Sequence, residues 1–78
     1  MARPADPQPA LGRAIREFRV RADMTQEQLG LDSGIGSAWI SHLESGSNPS
    51  WSTARRIADA LGVRLSELAA RAEELERA

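Results

Sequence analysis

Cysteine, tyrosine and lysine are absent from the sequence, and histidine occurs only once, as His42. The lack of cysteine excludes disulfides, and one histidine cannot supply the ligand set of a structural zinc site. A single histidine also excludes acid–base catalysis by a pair of histidines. Gly34 and Gly36 do not have the spacing of a nucleotide-binding loop. Since no set of residues resembles a catalytic site, we expect a protein that is not an enzyme and that needs no metal or cofactor.

Long apolar stretches are missing as well. No segment approaches the roughly 20 apolar residues of a membrane-spanning helix. The N-terminus lacks the apolar segment of a secretion signal. These two absences predict a cytoplasmic protein without a membrane partner.

What the chain contains is enough for one small domain. Its 78 residues are 41% hydrophobic but only 4% aromatic, so the core must be built mostly from Leu, Ile, Val and Ala on helices. A domain of this size is marginally stable by itself. Dimerisation is therefore a natural way to gain buried surface.

The charges are unevenly distributed along the chain. The net charge is −1 and the pI is about 5.7, whereas a nucleic-acid-binding domain usually carries a basic surface. Residues 1–22 have a net charge of +3 and residues 23–50 a net charge of −4, because the second range contains no arginine. Every basic residue is Arg, which suits bidentate contacts to phosphate or guanine. A G+C-rich genome explains the arginines equally well.

The rest of the chain is organised around residues 26–45, which read as two short helices. Thr25 and Gln28 form the pattern of a capping box, so the first helix begins there. Gly34 supplies the positive φ that ends this helix and lets the chain turn. The second helix then runs to Gly46, which stops it.

This spacing is that of a helix-turn-helix, in which two helices cross steeply over a short turn. Gly30 and Ser33 are small where the two helices must approach closely. Further motifs accompany this spacing, and together they are Met24-Thr25-Gln26-Glu27-Gln28-Leu29, Gly34-Ile35, Ile40-Ser41-His42-Leu43-Glu44-Ser45-Gly46, Asn48-Pro49-Ser50 and Ala58-Asp59-Ala60-Leu61-Gly62-Val63. With these motifs the chain resembles, over about residues 11–70, the phage repressor and Cro type of helix-turn-helix, the Xre-like family of bacterial regulators.

The resemblance implies an all-α, lambda repressor-like domain of five helices over residues 11–70. It implies a sequence-specific transcriptional regulator that binds double-stranded operator DNA as a homodimer and places helix 3 in the major groove. From the length we expect no ligand-sensing domain. The chain is therefore similar to short stand-alone repressors or restriction-modification controllers.

The docking geometry of this family gives the expected DNA-binding residues. On the outward face of helix 3, Ser37 can bond to several bases and Ala38 can contact a thymine methyl group, while His42 can donate to guanine or to phosphate. Gln26 would add its amide to a phosphate held at the N-terminus of helix 2. The complete set is Gln26, Ser37, Ala38, Trp39, Ser41, His42, Ser45, Ser47, Asn48 and Arg19.

Three of the expected roles depend on neighbours that the sequence does not fix. The resemblance implies that Arg19 pairs with Glu44 and that the pair positions the guanidinium beside a phosphate. Trp39 is either half-buried with its indole N–H turned toward a phosphate, or part of the core. Leu31 stands where the family usually has a polar residue, and it either folds back on the core or marks a contact surface.

The flanking segments complete the expected organisation. Residues 1–10 contain three prolines and should form a disordered arm. In helix 4 we expect Trp51 to belong to the buried stripe. In helix 5, Ala69, Ala72 and Leu75 continue a narrow apolar seam, so that residues 71–78 are a possible dimer contact.

An alternative function stays open beside DNA binding. A protein-interaction module, antitoxin-like or adaptor-like, could keep the helix-turn-helix fold with weak DNA affinity. The acidic middle third of the chain, the small side chains of helix 3 and Leu31 favour it, and it would require a protein partner.

Overall fold

The computed structural model describes residues 9–78, which form five α-helices and no strand. The helices are α1 (Pro9–Arg21), α2 (Gln26–Ser33), α3 (Ser37–Glu44), α4 (Trp51–Leu61) and α5 (Leu65–Arg77). The all-α fold predicted from the sequence is therefore confirmed. Within the described range, no helix is both long enough and apolar enough to cross a membrane.

Helix α1 begins earlier than predicted. The expected arm at residues 1–10 is wrong for its last two residues, because Pro9 opens α1 and Ala10 is buried in the core. Proline is tolerated at the first position of a helix, where its missing N–H would have no partner within the helix. The rest of the expected arm, residues 1–8, lies outside the described residues.

All five helices contribute to one aliphatic core, as the composition predicts. Phe18 and Met24 pack against the edge of this core, and no aromatic side chain of the described residues belongs to its buried part. The buried cluster consists of Ala10, Ala14, Ile15, Leu29, Ile40, Leu43, Ile57, Ala58, Leu61, Leu68 and Ala72.

The expected place of Trp51 in the buried stripe of helix 4 is wrong, whereas the dimer contact expected at residues 71–78 stays a prediction. Trp51 is 73% exposed, because it is the first residue of α4 and the stripe becomes buried only from Ala54 onward. The α5 seam is also largely used inside the chain, since Ala72 belongs to the core and Leu75 packs against it. Of the three seam residues, Ala69 alone is exposed.

An ion pair at the surface joins α1 to α5. The Glu17 carboxylate accepts hydrogen bonds from Nε of Arg71 at 2.8 Å and from its Nη2 at 3.2 Å. Arg21 lies 3.8 Å from the same carboxylate. The hydrogen bonds from Arg71 lower the pKa of Glu17 below its ordinary value. The charged carboxylate thus helps to keep α5 alongside α1.

Gly12 allows α1 to approach the C-terminal end of α3. A Cβ atom at this position would overlap the carbonyl oxygen of Leu43 and would lie 2.9 Å from that of Glu44. Both obstacles are backbone atoms, which cannot rotate away as a side chain could. Gly12 therefore sets the distance between the two helices.

We expect Gly12→Ala to destabilise the domain although alanine is the better helix former. The gain in helix propensity is about 1 kcal/mol, whereas forcing extra volume into a close-packed contact costs about 1–3 kcal/mol or more. The free energy of unfolding, measured with urea, should fall by about 1–2 kcal/mol.

Asp32→Ala is the matched control, because it improves propensity at an exposed position of α2. It should not lower stability. A Gly12→Ala variant as stable as the parent chain would contradict the contact between α1 and α3.

Candidate nucleic-acid interface

Helix α2 begins and ends as the sequence predicts. The N–H of Gln28 donates to Oγ1 of Thr25 at 3.0 Å, and Oε1 of Gln28 accepts from the N–H of Thr25 at 2.8 Å. This is the reciprocal capping box. Gly34 has φ of 75°, the left-handed conformation that ends α2.

The turn between α2 and α3 folds tightly onto Gly30. The N–H groups of Ile35 and Gly36 both donate to the Gly30 carbonyl oxygen at 3.1 Å. A Cβ at position 30 would lie only 2.6 Å from the carbonyl carbon of Gly36. The close approach predicted for Gly30 is therefore confirmed, and it fixes the start of α3 against α2.

Helix α3 buries Ile40 and Leu43 and turns its other side outward. The expected contact residues on this helix and just after it are exposed without exception. They are Ser37, Ala38, Trp39, Ser41 and His42 in α3, and Ser45, Ser47 and Asn48 after it.

A shallow cleft brings part of the expected site together. Ser37, Ala38 and Ser41 of α3 line it, opposite Gln26 at the start of α2 and Arg19 of α1. Residues that sequence reasoning did not include in the site also line this cleft, namely Met24, Thr25 and Glu27. The capping box could have indicated these residues, because it places the start of α2 at Thr25 and so puts Met24, Thr25 and Glu27 next to Gln26.

Trp39 and His42 form a separate cluster that does not line the cleft. Their rings contact edge to face, with centroids 5.7 Å apart and planes at 88°. Trp39 is 53% exposed, so it is not part of the core. The pair places an aromatic ring beside the imidazole on the outward side of α3.

The pairing of Arg19 with Glu44 is confirmed. Arg19 donates from Nε to Oε2 of Glu44 at 2.6 Å and from Nη2 to Oε1 at 3.0 Å. Its Nη1 donates to the Met24 carbonyl oxygen at 2.8 Å. The two charged side chains are only 13% and 6% exposed. The hydrogen bonds to Glu44 raise the pKa of Arg19, which keeps the guanidinium charged.

Gln26 joins the same ion pair. Its Nε2 donates to Oε1 of Glu44 at 3.1 Å, so the amide expected to contact phosphate already has one protein partner. An amide nitrogen carries two hydrogens, and the second is available to another acceptor. Glu44 thereby connects α3 to α1 through Arg19 and to α2 through Gln26.

The residues after α3 extend its outward face. The Ser45 hydroxyl donates to the Ser41 carbonyl oxygen at 3.0 Å, which leaves the lone pairs of its oxygen outward. Ser47 and Asn48 are exposed in the loop before α4. The N–H of Ser47 donates to the His42 carbonyl oxygen at 3.1 Å, which holds this loop against the end of α3.

We expect Arg19→Met and Glu44→Met each to destabilise the domain. Each change leaves a mostly buried charge without its partner, at a cost of about 2–3 kcal/mol in urea unfolding. The double variant should lose less than the sum of the single losses, because the removed partners interact directly.

Arg71→Met is the control, since it breaks the Arg71–Glu17 pair, whose side chains are about a third exposed. This variant should lose much less free energy of unfolding than the Arg19 and Glu44 variants, because solvent screens exposed ion pairs. Additive losses at positions 19 and 44 would show that the pair does not couple α1 to α3.

Known proteins share the sequence pattern and the fold of this chain. A family model described as a helix-turn-helix domain matches residues 10–72. The chain is 35% identical over 60 residues to the HTH-type transcriptional regulator SlrR of Bacillus subtilis, which covers 74% of this chain and 40% of that protein. The chain thus spans less than half the length of this curated relative.

Two solved structures share the fold. The restriction-modification controller protein C.AhdI from Aeromonas hydrophila has a TM-score of 0.76 at 29% identity, covering 78% of this chain and 94% of its own. The clp gene regulator ClgR from Corynebacterium glutamicum has a TM-score of 0.82 at 28% identity, covering 86% of this chain and 88% of its own. With a family model that matches most of its length, this chain belongs to the helix-turn-helix domain family.

Proposed function

We propose that this chain is a sequence-specific DNA-binding transcriptional regulator that acts as a homodimer. The observation that carries the proposal is the exposed outward face of α3 beside the N-terminus of α2. In this proposal α3 enters the major groove, and the two subunits of a dimer contact half-sites about one helical turn apart. The regulators named among its relatives and structural neighbours support this assignment.

The start of α2 is the proposed phosphate contact. The first N–H groups of a helix have no partner within it, and the positive end of the helix dipole favours an anion there. In α2 these are the N–H groups of Gln26 and Glu27, since that of Gln28 bonds to Thr25. The second amide hydrogen of Gln26 can donate to the same anion, while Arg19, whose charge is compensated by Glu44, lines the cleft beside it.

Only a few side chains are proposed to contact bases, and most of them are short. Ser37 and Ser41 offer hydroxyl groups, Ala38 offers a methyl surface for thymine, and His42 offers a ring nitrogen. Trp39 supports the His42 ring and presents apolar area to the groove or to the flanking backbone. No residue on this face forms the bidentate contact that most strongly selects a base, so DNA shape should contribute to specificity.

The proposed backbone contacts outside the cleft lie after α3. Ser45, Ser47 and Asn48 are polar and exposed in consecutive turns of chain. Hydroxyl and amide groups at such places commonly position a protein on the phosphates. Because these groups are uncharged, few phosphates should be neutralised on binding, and the salt dependence of the affinity should be shallow.

We expect the double variant Ser37→Ala/His42→Ala to lose affinity for a duplex selected from a randomised library. A bidentate base contact is worth about 1–3 kcal/mol. The two single contacts of Ser37 and His42 are weaker, so their joint loss of about 1.4–2.8 kcal/mol should raise the dissociation constant about 10-fold to 100-fold. Fluorescence anisotropy across a salt series measures both the affinity and the number of phosphates contacted.

Ala70→Ser, on an exposed position of α5, is the control and should bind as the parent does. Failure of the library to yield any enriched sequence would contradict sequence-specific binding. Unchanged affinity of the double variant would instead contradict the role of α3 in reading bases.

A second candidate function is contact with another protein through α2. Leu31 is 80% exposed, so it does not fold back onto the core. It borders a small depression together with partly buried Ile35 and with acidic Glu27. A large apolar side chain beside acidic groups would suit a partner that offers an apolar pocket and basic residues.

We expect Leu31→Ser to separate this contact from DNA binding. The variant should bind the selected duplex with unchanged affinity but alter the output of a reporter gene controlled by that duplex. Asp32→Ser, at the adjacent exposed position, is the control. Reporter output that follows DNA affinity alone in both variants would exclude a partner at Leu31.

A further inference from the structure

Four arginines gather in one groove on the surface of α1 and α5, the arginine groove. Its lining consists of Arg13, Arg16, Glu17, Val20, Arg21 and Arg71. These six residues carry a net charge of +3, whereas the whole chain carries −1. The rest of the chain is therefore net acidic. An acidic molecule is attracted to this groove and repelled by most of the remaining surface.

Two of these arginines already hold a carboxylate. Arg71 donates from Nε to Oε1 of Glu17 at 2.8 Å and from Nη2 to Oε2 at 3.2 Å. Arg21 lies 3.8 Å from the same carboxylate, and its guanidinium lies 5.3 Å from the centre of the Phe18 ring. Both side chains thus have partners within the chain. Their geometry shows how an arginine of this groove binds a carboxylate.

Arg13 and Arg16 are placed differently. Both are exposed, and neither takes part in the ion pairs found within residues 9–78. Val20 follows them on α1 and is 61% exposed. The three positions recur at i, i+3 and i+7, so they form one stripe about 10 Å long. An extended peptide covers that length with about three or four residues.

The stripe lies on a different side of α1 from the proposed DNA face. Helix α1 turns Gly12 and Arg19 toward α3. The arginine groove lies next to α5 instead, and no residue lines both this groove and the α2–α3 cleft. The exposed Val20 also favours a protein as the occupant. A phosphate backbone supplies chiefly charge, whereas a protein segment supplies carboxylates together with an apolar side chain.

We propose that the arginine groove binds a short acidic segment of a partner protein. Carboxylates of that segment pair with Arg13 and Arg16, and an apolar side chain packs against Val20. Exposed ion pairs contribute little individually. The contact with Val20 is therefore what distinguishes this site from general attraction between opposite charges. The inference does not rest on the proposed function, and it concerns a surface separate from Leu31.

The first test measures binding of a fluorescein-labelled peptide, Gly-Glu-Glu-Leu-Glu-Glu-Gly, to the full chain by fluorescence anisotropy at low salt. The peptide reads the same in both directions, so the orientation of the partner segment need not be known. A matched peptide has serine in place of leucine. The leucine peptide should bind at least about 5-fold more tightly, because its side chain buries apolar surface with Val20. Equal affinities for the two peptides would overturn the proposal.

The second test removes the two unpaired arginines. Arg13→Gln combined with Arg16→Gln should raise the dissociation constant of the leucine peptide at least about 10-fold. Arg55→Gln combined with Arg56→Gln is the control, since it removes the same charge at two exposed positions of α4 outside the groove. Circular dichroism establishes that both variants remain helical. An equal loss in both variants would show attraction to net charge only, which overturns the proposal.

Val20→Ser tests the apolar part of the site. It should abolish the preference for the leucine peptide and leave the affinity for the serine peptide unchanged, because Val20 is exposed and its loss does not open the core. In the parent chain, the methyl resonances of Val20 should shift on addition of the leucine peptide. A variant that keeps the preference for leucine would overturn the proposed contact.

Two other occupants of the groove give different results. The peptide should stay bound when the chain also binds a DNA duplex. Displacement of the peptide by the duplex would assign the groove to nucleic acid and overturn the proposal. Sedimentation tests a second copy of the chain as the occupant. Weaker self-association of the Arg13→Gln/Arg16→Gln variant than of the Arg55→Gln/Arg56→Gln variant would identify that copy and overturn the proposal as well.

Discussion

The carboxylate of Glu44 accepts hydrogen bonds from Arg19 in α1 and from Gln26 in α2, so one side chain at the end of α3 connects three helices. Helix α3 has eight residues and buries only Ile40 and Leu43. An isolated helix this short is not stable in water, and two buried side chains constrain its direction weakly. The orientation of α3 therefore depends on contacts at its two ends. The turn packed on Gly30 fixes its start, and the hydrogen bonds of Glu44 fix its last turn.

The same arrangement explains how a surface of small side chains could recognise DNA. Serine and alanine reach only a short distance, so the backbone that carries them must be placed accurately before they can contact a base edge. Close contacts at Gly12 and Gly30 bring α1 and α2 against the ends of α3 without intervening side chains. In the proposed function, rigid placement therefore compensates for the lack of long bidentate side chains.

The exposed apolar residues lie in separate regions of the surface. Trp39 lies on the proposed DNA face, Leu31 lies on α2 beside it, and Trp51 lies in a groove between α4 and α5. A chain of 78 residues with few aromatics gains little by leaving both tryptophans in water. Exposed apolar area on separate surfaces is typical of sites that contact other molecules.

The sequence by itself determined where α2 begins and ends, because these ends depend on residues close together in the chain. The capping box of Thr25 and Gln28 and the left-handed conformation of Gly34 are as predicted. The positions expected on the outward face of α3 are exposed. The start of α1 was missed, since burial of Ala10 depends on the helices packed around it.

Only the tertiary structure decided which of the apolar and polar side chains find partners within the chain. The Arg19–Glu44 pair spans 25 positions and the Arg71–Glu17 pair spans 54, and the first was expected from family resemblance alone. Periodicity assigned Trp51 to the core, whereas it is exposed, and it did not show that Ala72 is buried within the chain. The reason is physical: periodicity gives the apolar side of each helix, whereas packing against neighbouring helices determines how much of that side is covered.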